Sequence, residues 1–147
     1  PARLLSGETL LHEQDRLRAV SIYCSPFCQA LWSPALFLSV KVLVTDRRVL
    51  LSCRPLPSYW QETDLWFPGQ QPGGKREIIA SASLEAGRFG PCLEIKSRNP
   101  HRRDSWFASS ALIVRIYCAE PEHIGRIVCG NLVLSGNIAI EGAPNPC

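Results

Sequence analysis

Leu36-Phe37-Leu38-Ser39-Val40-Lys41-Val42-Leu43-Val44-Thr45-Asp46-Arg47-Arg48-Val49-Leu50-Leu51-Ser52 is the stretch whose reading decides the fold. Leu36, Leu38, Val40, Val42 and Val44 share one side of a period-2 ribbon, and Phe37, Ser39, Lys41 and Leu43 share the other. Apolar residues recurring at every second position mark a strand with one face in a core. The polar break Thr45–Arg48 and the apolar run Val49–Cys53 that follows make the segment a β-hairpin.

Outward from the hairpin the chain reads as short strands followed by one helix. Gly7–Leu11 predicts a first strand and Asp15–Tyr23 a second, with the hairpin supplying strands three and four. Ser25–Pro34 reads as an apolar loop. Residues 54–75, with Pro55, Pro57, Pro68, Pro72, Gly69, Gly73 and Gly74, read as a long irregular insertion. Alternation returns at Ile78–Leu84, Cys92–Ser97 and Ala111–Cys118. The period then changes. Glu120-Pro121-Glu122 places proline at a helix start and acid where it complements the helix dipole. Ile124, Ile127, Val128 and Leu132 form a narrow apolar stripe on a helix predicted over 121–134. The expected organisation is one domain over 1–136 and an irregular tail over 137–147.

Strand-then-helix order and two short patches carry a resemblance. The Gly7-Glu8 opening, Val44-Thr45-Asp46-Arg47-Arg48 and the junction Val114–Ile127 resemble the bacterial pleckstrin-homology-like and GRAM-like domains. That resemblance implies a mostly β chain with one C-terminal α-helix, a bent antiparallel barrel of about seven strands whose open end the helix covers. The wider superfamily includes phosphoinositide binders that use basic residues of the first long hairpin loop. Here the corresponding loop, roughly 21–34, has no lysine or arginine, which argues against headgroup recognition by charge-assisted hydrogen bonds.

Composition narrows function by exclusion. With 46% hydrophobic and 20% charged residues the chain is not wholly disordered, and a net charge of +3 is too small to imply nucleic-acid binding. No apolar run reaches the roughly 18 residues that span a bilayer. Charges at Arg3, Glu8, Glu13 and Asp15 interrupt the first 15 positions, where a signal peptide would carry an apolar core, so a cytoplasmic location is expected. The seven cysteines include no Cys-x-x-Cys pair and read mostly as small core or loop residues, so no metal and no cofactor are expected. No nucleophile elbow, phosphate loop or zinc-protease motif is present, and Cys24 with His12 is the one weak thiol–imidazole coincidence; no catalytic residue is expected.

What remains is a non-enzymatic interaction module. Its contact surface is expected from Phe27, Leu31, Trp32, Trp60, Trp66 and Phe67, because three of the four tryptophans fall in segments read as irregular. Such loops either fold back to cap the barrel or present an apolar surface to a partner. A protein partner or a second copy, as a homodimer, is the first expectation. Weak contact with a membrane surface is the alternative, using the basic turns Arg47, Arg48, Arg102 and Arg103. A small-ligand pocket or an unrecognised small enzyme is the second alternative, and solvated turns are the plain reading of the basic residues.

Overall fold

The computed structural model describes residues 3–23, 35–56, 59–74, 76–87, 89–100 and 111–135. Seven strands and one helix follow in order: β1 (Leu10–Tyr23), β2 (Ala35–Thr45), β3 (Arg48–Leu56), β4 (Tyr59–Trp66), β5 (Glu77–Gly87), β6 (Gly90–Arg98), β7 (Ala111–Tyr117) and α1 (Pro121–Leu134). The mostly β class, the strand number and the C-terminal helix agree with expectation. Each strand pairs with the next, and β1 also pairs with β7, so the sheet closes into a ring.

The hairpin forms as its alternation demands. Val44 pairs with Val49, Val42 with Leu51 and Val40 with Cys53. Val40, Val42, Val44, Val49 and Leu51 point into the interior. Leu65, Phe67, Leu93, Ile95, Leu112, Val114 and Ile116 meet them from the other strands. Leu36 and Leu38 lie on β2, where their side chains fall outside the described set.

Three expectations are corrected. The two strands predicted over 7–23 are one, β1, which passes through register shifts between Gln14 and Leu17 and between Leu17 and Ala19. Arg16, at φ 59, takes the left-handed backbone region within the Gln14–Leu17 shift, the second of three along β1, and such a bulge lets a long strand bend around a ring. The insertion over 54–75 holds a regular strand: β4 pairs with β3 from Arg48↔Trp66 to Cys53↔Gln61. Prolines misled the reading because they flank β4 instead of interrupting it. Among the described residues of that insertion, the connector between Trp66 and Glu77 stays irregular.

The third correction concerns strand direction. Pairing is antiparallel everywhere except between β4 and β5, which run parallel and pair at Leu65↔Glu77 and Trp66↔Ile78. This short seam is where the ring is least tied by backbone hydrogen bonds.

α1 starts with proline in its first turn and Glu122 beside it, as expected. It packs chiefly on β5 and β6 through buried Ile124, Val128, Cys129 and Leu132, while Ile127 sits half-buried at the edge of the stripe. Ser135 closes the helix, its N–H donating to Asn131 O at 3.0 Å and its hydroxyl to Leu132 O at 2.7 Å. No described helix is long and apolar enough to cross a membrane. The tail over 137–147 lies outside the described residues.

Candidate functional site

The β2–β3 turn and the segment before β1 meet in a buried charge cluster. Its centre is Arg48, whose side chain is only 6% exposed. Arg48 grips Glu8 with two donors, Nε to Oε1 at 2.8 Å and Nη2 to Oε2 at 3.1 Å. Its Nη1 donates to Asp64 Oδ1 at 2.9 Å, and Nη2 also donates to the Arg3 carbonyl at 2.8 Å. The guanidinium lies over the Trp66 ring, 5.3 Å from its centroid. A planar fork with fixed donors suits a two-oxygen acceptor, so this pairing fixes position as well as neutralising charge.

The hairpin builds the rest of the site. Thr45 Oγ1 donates to Glu8 Oε1 at 2.7 Å and accepts from the N–H groups of Arg47 and Arg48 at 3.1 and 3.0 Å. The same hydroxyl thus closes the turn and anchors the carboxylate. Asp46 Oδ1 accepts from the Thr9 N–H at 2.8 Å, and the Asp46 N–H donates to the Thr9 carbonyl at 3.0 Å. Arg47 Nη2 donates to the Gly7 carbonyl at 3.3 Å. Gly7 adopts φ 75, the left-handed region that favours glycine.

Electrostatics make the cluster a clamp. Burial alone would push the Glu8 carboxyl up. Hydrogen bonds from Arg48, the Leu5 N–H and Thr45, with the Arg48 charge, hold it below the usual carboxylate range instead. Burial likewise opposes the charged form of Arg48, and Glu8 and Asp64 more than offset it. A carboxylate kept ionised and doubly bound is a poor proton donor or acceptor near neutrality. One guanidinium faces two carboxylates, so the cluster holds no surplus positive charge.

Of the residues expected to bind, the structure separates more than it joins. Trp66 and Phe67 are 2% and 1% exposed. Trp66, the last residue of β4, lies beneath Arg48, and Phe67, just after the strand, sits in the interior cluster. Their indole and phenyl rings are covered within the fold. Trp60 lies on β4, with its side chain outside the described set; Phe27, Leu31 and Trp32 lie outside the described residues. Among the basic turns, Arg48 is buried in the clamp and Arg47 is half-buried against Gly7. Arg102 and Arg103 lie outside the described residues. Sequence reasoning singled out Gly7-Glu8 and Thr45–Arg48 without bringing them together. It missed Asp64, which it had assigned to an irregular insertion.

Burial pushes the thiols of Cys92 and Cys118 up, away from thiolate. Cys129, on α1, is disulfide-bonded, where the sequence suggested a plain core cysteine. The His12 ring meets the edge of His123 at 5.2 Å, and its Nε2 lies 3.4 Å from Gln14 Oε1. Among the described residues no three His, Cys, Asp or Glu side chains converge as a metal ion requires. No family model, curated protein or solved structure matches this chain.

Proposed function

We propose that the chain is a non-enzymatic interaction module of pleckstrin-homology-like architecture that associates with a second copy of itself. A sheet ring covered by a C-terminal helix supports the architecture, as does the meeting of Glu8 with Thr45 and Arg48, the two patches on which the resemblance rests. The chemistry of the clamp supports the non-enzymatic reading, since its carboxylates are held by partners instead of facing a substrate.

The observation that carries self-association is a run of exposed leucines. Leu4, Leu5, Leu10 and Leu11 are 39–45% exposed, on the segment that enters β1 and at the start of that strand. Apolar side chains grouped beside an ordered edge are what a symmetric interface uses at its centre. This shifts the proposed surface from Trp66 and Phe67 to the entry of β1; Phe27, Leu31 and Trp32, which lie outside the described residues, are proposed as its second part from the sequence alone. The disulfide at Cys129 favours an oxidising compartment over the expected cytoplasm, because cytosolic thiols are kept reduced.

Sedimentation equilibrium tests the proposal. The wild type is expected to dimerise, and Leu5→Ser with Leu11→Ser to shift it to monomer while the circular dichroism spectrum stays unchanged. A wild type that remains monomeric at high concentration, or a dimer indifferent to both this pair and Trp32→Ala, overturns it.

A further inference from the structure

Leu4 and Leu5 precede β1 and belong to no strand, yet they carry the two most exposed side chains of the leucine run. Outside a sheet, a side chain keeps one direction only where the peptides on both sides of it are fixed. Here three consecutive peptides are held. The Arg3 carbonyl, in the peptide that joins Arg3 to Leu4, accepts from Arg48 Nη2 at 2.8 Å. The peptide between Leu4 and Leu5 donates its N–H to Glu8 Oε2 at 2.7 Å. The Leu5 carbonyl, in the third peptide, accepts from the Glu8 N–H at 3.1 Å. Only two soft angles separate neighbouring peptide planes, so these three bonds set the backbone of both leucines.

The anchors are themselves anchored to the hairpin. Glu8 Oε1 accepts from Thr45 Oγ1 at 2.7 Å and from Arg48 Nε at 2.8 Å. Arg48 Nη1 donates to Asp64 Oδ1 on β4 at 2.9 Å. The Glu8 and Arg48 side chains are almost wholly buried and offer a partner no surface of their own. Arg47 adds a lighter tie further along the turn, from Nη2 to the Gly7 carbonyl at 3.3 Å. Position therefore passes from the sheet, through two buried side chains, to two leucines that face water.

We propose that the clamp is the positioning device of the self-association surface: Glu8 and Arg48 hold Leu4 and Leu5 in the arrangement that a second copy meets. This inference rests on self-association through the entry of β1. A segment set in advance spares the dimer the ordering cost that a loose one pays on association, so the clamp raises affinity without touching the partner. Glu8 and Arg48 are positioning residues of the interface.

A double-mutant cycle followed by sedimentation equilibrium tests it. Arg48→Lys keeps a positive charge beside Glu8 and gives up the planar fork that also reaches the Arg3 carbonyl. In the wild-type background it is expected to weaken the dimer about tenfold, the size of one lost hydrogen bond to a charged group. In Leu4→Ala/Leu5→Ala it is expected to change the dissociation constant by less than about twofold, because no leucine is left to position. Should Arg48→Lys fail to fold, Arg47→Gln runs through the same cycle. It releases the Gly7 carbonyl, leaves the buried pair intact, and is expected to weaken the wild-type dimer about threefold. Equal weakening in the two backgrounds overturns the inference and leaves self-association standing, since the arginine then acts through overall stability. A wild type that stays monomeric overturns self-association and this inference with it.

Discussion

Two Arg–Glu contacts of identical length sit on opposite halves of the ring. Arg48 Nε meets Glu8 Oε1 at 2.8 Å, and Arg115 Nε meets Glu94 Oε2 at 2.8 Å. Around the first, side-chain exposures are 6% and 0%; around the second they are 24% and 8%, with Lys96, at 55%, standing 3.8 Å from the same glutamate. In the first the carboxylate is held by Arg48, Thr45 and a backbone N–H, and removing one partner strands a charge out of reach of water. In the second, water reaches the arginine and screens the loss. Distance alone says little about what an ion pair is worth; its surroundings decide.

Breaking the clamp should have the largest effect. Arg48→Met leaves Glu8 buried and uncompensated, with an expected loss of about 3–5 kcal/mol in urea denaturation. Adding Glu8→Gln should recover more than half of that loss, since the stranded charge is gone. A double variant as unstable as the single one would mean that the pair contributes attraction beyond its own desolvation.

Acid should separate the two halves next. The Glu8 pKa lies below its unfolded value, so its contribution is complete above that unfolded value and fades as pH falls through the folded one. Wild-type stability should therefore drop more steeply than that of Glu8→Gln/Arg48→Met once the pH falls below the ordinary glutamate value of 4.5. Parallel pH profiles for the two proteins would remove the clamp from the acid response.

The exposed half should be forgiving. Arg115→Gln is expected to cost about 1 kcal/mol, the upper range for a partly screened pair. Lys41 and Glu13 also form an ion pair, across β1 and β2, with 38% and 42% of their side chains in water. Lys41→Ala should leave the thermal midpoint unchanged within error, and a clear drop would show that the outer face of β2 relies on its charges.

Legibility in the sequence followed the same division. Val40, Val42 and Val44 announced β2 because alternation needs no knowledge of neighbours, and the change of period after Cys118 announced α1 for the same reason. The clamp was half visible. Glu8, Thr45 and Arg48 stood out as residues, yet what unites them is contact across 37 to 40 positions, which no local pattern encodes. β4 was hidden because Pro55, Pro57 and Pro68 signal breaks while Trp66 and Phe67 in a supposed loop resemble surface aromatics. Once β4 was misread, Asp64 and the burial of Trp66 were lost with it. Even the direction of the β4–β5 seam lay beyond reach, as two paired residues leave no periodic trace.

Closure of the ring has a consequence for how the chain acquires its shape. Residues 18–23 of β1 pair with residues 112–117 of β7, so the outer hydrogen-bonding edge of the first strand waits for a partner roughly 90 positions later. At typical synthesis rates of about 5–20 residues per second, that edge emerges some 5–18 seconds before β7 exists. Through that interval β1 can pair only with β2, and its other edge offers unpaired amides to any strand that meets it. The last β-strand is therefore the one that protects the first, and a nascent chain paused before Ala111 should be the most aggregation-prone form of this protein.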